Sequence, residues 1–203
     1  MRTLGLLLGL LSFSAIAYEL PTGLVRSAEK IQLNTYEFVL SPSYTFDPNG
    51  AYLSSEVRYQ ASEEFGAGLA FGAGEAGFHF GMNGVWHVLP DHGDQPGFSI
   101  LGGLYLNRVT DANYFIVKAA PMVSKAFQTS FGKTTPYAGL HISPSFRLGQ
   151  PDNTVALKST FGNEFSINGL GGTALYTEFS VGLANSPHSI NIAFSYPFVA
   201  LGE

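Results

Sequence analysis

His141-Ile142-Ser143 sets an imidazole and a hydroxyl two residues apart, which places both on one face if the segment is a strand. A serine becomes a nucleophile only beside a base, and the base needs a third group to orient it. Glu164 is the one plausible third member near this pair. The catalytic candidates are therefore Ser143 as nucleophile, His141 as base and Glu164 as orienting carboxylate. An inward His and Ser on one strand also arises with no catalytic role, so we assign no catalytic site on this pattern alone. The other histidines are His79, His87, His92 and His188. His79 and His87 share a strand parity but stand eight residues apart, about 27 Å at ~3.4 Å per residue, too far to share a metal. His92 lies in the turn Asp91-His92-Gly93-Asp94, where solvated polar groups are the ordinary case. Gly66-x-Gly68 and Gly72-x-Gly74 have the letters of a phosphate loop without the following helix that such a loop needs. We expect no metal and no cofactor.

The composition says what kind of element must carry these residues. In 203 residues, charged side chains make up 12%, hydrophobic ones 45% and aromatic ones 14%, with 24 glycines. Soluble domains carry roughly 25% charge. Ten basic against fifteen acidic residues give a net charge of -5 and no basic run to hold phosphate, which excludes a nucleic-acid partner. With no cysteine there is neither a disulfide framework nor a thiolate site.

Arg2, the apolar run Leu4–Leu11 and the small residues Ala15 and Ala17 have the layout of a secretory signal peptide. Residues 1–17 are expected to be removed after Ala17, leaving 18–203 as one domain. From Gln32 onward the dominant period is two, as in Ile190-x-Ile192-x-Phe194-x-Tyr196-x-Phe198 and in Leu53–Gln60. Turn residues divide the chain into strands near 34–46, 51–62, 65–74, 77–89, 97–109, 113–127, 135–148, 154–167, 173–184 and 188–198. These exceed the ~5–6 residues usual in soluble sheets and match the roughly 9–11 needed to cross a bilayer as a tilted strand. The short turns between them predict antiparallel hairpins.

The two faces of these strands decide the class. One set carries Glu37, Glu56, Arg58, Lys118, Arg147, Lys158, Glu164 and Glu178, four acids and four bases. The other carries Tyr36, Phe38, Leu40, Phe71, Phe78, Phe80, Trp86, Phe98, Leu104, Phe115, Phe179 and Phe194. In water, that apolar band would far exceed the patch a monomer tolerates; in lipid it carries no penalty. Paired charges inside a narrow barrel are tolerable if each finds a partner. The expectation is an all-β, up-and-down transmembrane barrel of about ten strands, with eight or twelve as alternatives, and a largely filled lumen. A soluble secreted barrel around an apolar ligand is the weaker alternative. The inward glycines 66, 68, 72 and 74 are expected to make room for Tyr105, Tyr114 or Tyr176. Glu37 is expected near the level of Gln60, within diagonal reach of Arg58, which leaves Glu56 to meet Lys118, Arg147 or Lys158 across the lumen.

A leader, alternating strands and an amphipathic last strand together resemble the small outer-membrane β-barrel proteins of Gram-negative bacteria. The resemblance covers most of the chain after the leader and is one of pattern. It implies that Phe194, Tyr196 and Phe198 form the signal read by the barrel-assembly machinery, although Val199–Glu203 follow the aromatic residue that ends the commonest form. It also implies outer-membrane lipid as the surrounding partner and a structural, adhesive or narrow-pore role. His141-x-Ser143 resembles the His-x-Ser of outer-membrane lipid A deacylases, which makes a membrane-embedded lipid hydrolase the alternative; the residues around His141 and the distance to Glu164 depart from that family.

Overall fold

The computed structural model describes residues 26–46, 49–75, 77–151 and 153–198, so the leader expected over 1–17 and the tail 199–203 lie outside the described residues. The strands are β1 (Tyr36–Phe46), β2 (Gly50–Gln60), β3 (Phe65–Gly74), β4 (Gly77–Leu89), β5 (Gly97–Val109), β6 (Ala112–Ser124), the three-residue β7 (Phe127–Thr129), β8 (Gly132–Arg147), β9 (Asn153–Ile167), β10 (Ala174–Ala184) and β11 (His188–Phe198). Each long strand pairs antiparallel with its sequence neighbours. β1 joins β11, and β6 joins β8 across the short β7. The ten long strands thus close on themselves, and among the described residues no long strand is left with a free edge.

The period of two becomes an inside and an outside. Along β1 the residues alternate buried and exposed from Glu37 to Phe46, and β11 does the same from Ser189 to Tyr196. Outward side chains are large and apolar, with Leu69, Phe71, Phe80, Met82, Phe161 and Phe194 each at least half exposed. Inward ones are mostly polar, with three small apolar clusters between them. An apolar outer face around a largely polar, charged interior is the polarity of a transmembrane barrel, the reverse of the soluble barrel. Aromatic rings gather near both rims, as in an interfacial girdle. Tyr36 lies between Tyr59, tilted at 4.7 Å, and Phe198, stacked at 5.6 Å, and Phe65 lies on Trp86. At the other end Tyr44 meets Phe46 and Phe115 meets Phe146.

The two ends differ. At the end away from the termini, connections between strands run to only two to five residues. At the terminal end they run to four to seven, and one contains β7. There Asp91 binds the Lys125 ammonium and accepts from Ala126 N–H at 2.6 Å, tying two connections together. Burial alone pushes the Asp91 carboxyl up, but Lys125 and the Ala126 N–H outweigh it and hold it below the usual carboxylate range.

Candidate functional site

Across the β1–β2 hairpin Glu37 stands directly opposite Arg58, not on the diagonal expected from sequence. Arg58 Nη1 donates to Glu37 Oε2 at 3.1 Å, and its Nη2 donates to Glu56 Oε2 at 3.0 Å. The planar fork therefore serves two carboxylates at once. Glu56 does not reach across the lumen to Lys118, Arg147 or Lys158. Its second oxygen accepts from Asn83 Nδ2 at 2.9 Å and lies 3.6 Å from Arg26 Nη2. Same-strand neighbours have Cα atoms about 7 Å apart, but two long side chains leaning together close that gap.

Arg26 belongs to a segment that the alternation could not place. Arg26, Ser27 and Ala28 are all buried inside the terminal mouth of the barrel. Ser27 Oγ donates to Glu164 Oε2 at 2.7 Å. Ala28 N–H donates to Ser124 Oγ at 3.0 Å, and its carbonyl accepts from Ser99 Oγ at 2.9 Å, with His87 Nδ1 also 3.0 Å away. Lys133 Nζ donates to Glu29 Oε2 at 2.6 Å, and Lys30 pairs with Glu63 at the rim. In a chain with only 12% charged residues, three charges within Arg26–Lys30 were the available signal.

Deeper in the lumen Glu178 accepts from Tyr137 OH at 3.2 Å and from Asn191 Nδ2 at 2.8 Å. Lys118 lies 5.9 Å from the centre of the Tyr105 ring. Lys158 stands opposite His141 in the β8–β9 ladder. Arg147 is half-buried at the far end of β8. His79 is buried with Nδ1 2.6 Å from Tyr52 OH. Two of the glycines expected to make room for a ring, Gly72 and Gly74, do so for Tyr52 rather than for Tyr105, Tyr114 or Tyr176. Gly72 abuts Tyr52 and His79, whereas Tyr105 lies against Gly81 and Gly103, and Tyr137 against Gly162.

His141 and Ser143 are both fully buried, and the third candidate is elsewhere. His141 Nε2 lies 3.0 Å from Thr160 Oγ1, which lies 2.8 Å from Ser180 Oγ. Glu164 faces Thr135 and Tyr176 in register and binds Ser27. It is six residues along β9 from Lys158, about 20 Å at ~3.4 Å per residue. His141, Ser143 and Glu164 are not gathered into a triad, because β9 carries Glu164 to the mouth while β8 holds His141 at mid-height. His87 and His92 are likewise apart from His79, with His92 in a short bridge to Gln95. Phe194, Tyr196 and Phe198 all point outward on β11.

No protein-family model matches the sequence, and no curated protein matches it. Among solved structures, the chain is similar to an outer-membrane channel from Pseudomonas putida F1, with a TM-score of 0.51 at 9% identity over 89% of this chain and 100% of that one. The β domain of the Bordetella autotransporter BrkA follows, with a TM-score of 0.47 at 10% identity over 81% and 98%. The KdgM porin gives 0.42 at 9% identity over 80% and 99%. At such identities the likeness to the channel carries the fold alone: that of an outer-membrane β-barrel.

Proposed function

We propose that this chain is a non-enzymatic integral protein of the outer membrane, whose lumen is sealed at rest by paired charges and by its own N-terminal segment. The observation that carries the reading is the burial of Glu37, Arg58, Lys118, Lys158, Glu164 and Glu178 inside a wall whose outer face is apolar. Ten strands lie near the filled end of the size range, well short of the 16–18 that leave an aqueous channel. A packed interior suits a structural or narrow-pore role. The connections of two to five residues away from the termini offer little to a surface receptor, so an adhesive role fits less well.

On this reading residues 1–17 are the cleaved leader, and the outward Phe194, Tyr196 and Phe198 serve the assembly machinery. An even strand count puts both termini on one side, which we take as the periplasmic side. The protein is expected in the outer-membrane fraction, with a heat-modifiable shift on gels and little or no steady current in planar bilayers. Large porin-like currents would overturn the sealed lumen, and protease access to Glu203 in intact cells would overturn the orientation.

A further inference from the structure

We propose that Arg26–Leu33 is a retractable strap, closing a vestibule at the terminal mouth that takes up cations when the strap withdraws. The inference goes beyond the sealed-barrel reading and depends on it only for the barrel being inserted.

Three observations separate the strap from the wall. First, among the described residues, no backbone-to-backbone hydrogen bond ties Arg26–Leu33 to a strand; such bonding begins at Asn34 and Thr35, which exchange bonds with Gln60. The strap can therefore leave without breaking a rung of the barrel, the mark of a locally separable unit. Second, Asn34 has a φ of 56°, a left-handed conformation that asparagine tolerates. Thr35 N–H closes the turn onto Gln32 C=O at 3.3 Å. The chain reverses from wall to lumen at this one point, which makes it the hinge. Third, the strap is flanked by space on both sides. A cavity of about 430 Å³ opens among Lys30, Glu64, His87 and Leu89. Another of about 260 Å³ opens among Gln32, Thr35, Glu37 and Tyr176.

The docking is specific and mostly polar. Ser99 and Ser124 present hydroxyls to the carbonyl and N–H of Ala28, so the wall reads the strap as an extended peptide. Only the Ala28 methyl joins an apolar cluster, with Val85, Leu101, Ala120 and Met122. Arg26 and Ser27 are held by Glu56 and Glu164. The strap carries Arg26, Glu29 and Lys30, so its withdrawal removes more positive charge than negative. Withdrawal also frees Lys133 from Glu29, so Glu37, Glu56 and Glu164 then face Arg58 and Lys133; three acids against two bases still favour a cation there over an anion.

Thiol accessibility tests this in the full-length folded protein, since the chain contains no cysteine. Ser99 lies beneath Ala28, and Thr160 lies deeper, away from the strap; both are fully buried. The Ser99→Cys thiol should react with a cationic methanethiosulfonate reagent about tenfold faster than the Thr160→Cys thiol, and faster than with an anionic reagent of similar size. Adding Glu56→Gln and Glu164→Gln weakens the ties to Arg26 and Ser27 and should raise the Ser99→Cys rate by a further tenfold or so. It should also remove the preference for the cationic reagent and leave Thr160→Cys inert. If Ser99→Cys does not give the folded gel form, Ser124→Cys carries the same readout. A Ser99→Cys or Ser124→Cys thiol as inert as Thr160→Cys, with or without the Gln substitutions, would make the strap a fixed part of the core. Equal or faster reaction with the anionic reagent would refute the cation-favouring vestibule. Conductance plays no part in this readout, so a conducting wild-type barrel would sink the sealed-lumen reading and leave the labelling result standing.

Discussion

Replacing Arg58 with alanine removes the guanidinium that serves both Glu37 and Glu56 in the terminal mouth. Arg58 and Glu37 have side chains only 2% and 5% exposed, while Glu56 is 16% exposed and keeps Arg26 and Asn83 as neighbours. Glu37 is therefore the carboxylate that loses most. Breaking a buried pair by removing one partner costs about 3–5 kcal/mol, because the remaining charge is left uncompensated. For a chain of this size, 1 kcal/mol moves the unfolding midpoint by about 2–4 °C, so Arg58→Ala should lower it by about 6–20 °C. The assay is the temperature at which the folded gel form is lost, with unheated wild type as reference. Adding Glu37→Ala deletes the orphaned charge. The double variant should regain at least about 1 kcal/mol over the sum of the singles, within the range seen for contacting residues. Glu56→Gln alone should cost less than Arg58→Ala. Strict additivity of Arg58→Ala and Glu37→Ala would show that the two are not energetically coupled and would refute their pairing as a stabilising element of the mouth.

Asp91 is held below the ordinary carboxylate range, so its contribution is present above about pH 4, where the unfolded carboxyl ionises, and is lost as pH falls through the folded value. The midpoint difference between wild type and Asp91→Asn should accordingly be constant at neutral pH and shrink below about pH 4; a gap that widens in acid would contradict the contact with Lys125. A methyl group at Gly162 would clash with the Tyr137 phenol ring and its hydroxyl. Gly162→Ala should thus destabilise by about 1–3 kcal/mol, and Tyr137→Leu in the same chain should recover much of that in the gel-shift melt. Ser143→Ala should leave acyl release from outer-membrane lipid unchanged from the background of the wild type. Hydrolysis that disappears in this variant would restore the enzymatic alternative.

The wall of this barrel was legible in the sequence because one face meets lipid and the other meets packed polar groups, so each strand needs strict alternation. The bounds of β3, β4, β5 and β11 coincide with the segments read from turn residues. Turn residues mark 113–127 as one strand, whereas β6 ends at Ser124 and β7 begins at Phe127. Between them Lys125 and Ala126 turn to Asp91, a contact between distant turns that no local pattern encodes. The strap escaped for the same reason. Arg26–Ala28 bind residues about 30 to 137 positions away, and a non-periodic segment carries no register from which to infer them. The facing of the eight strand charges followed from parity. Their partners did not, because parity fixes a side of the wall and not where a long guanidinium bends.

The short connections at the end away from the termini bear on how the protein reaches its membrane. In the proposed orientation the termini stay on the side of entry, so each far-end hairpin is carried across the hydrocarbon, and peptide groups without hydrogen-bond partners make that passage slow. Here the cargo at each crossing is two to five connecting residues. The energetic barrier to insertion is correspondingly low, and the urea-unfolded chain should refold into thin-bilayer vesicles without an assembly catalyst, at a rate that falls when a polar segment is spliced between Val109 and Ala112.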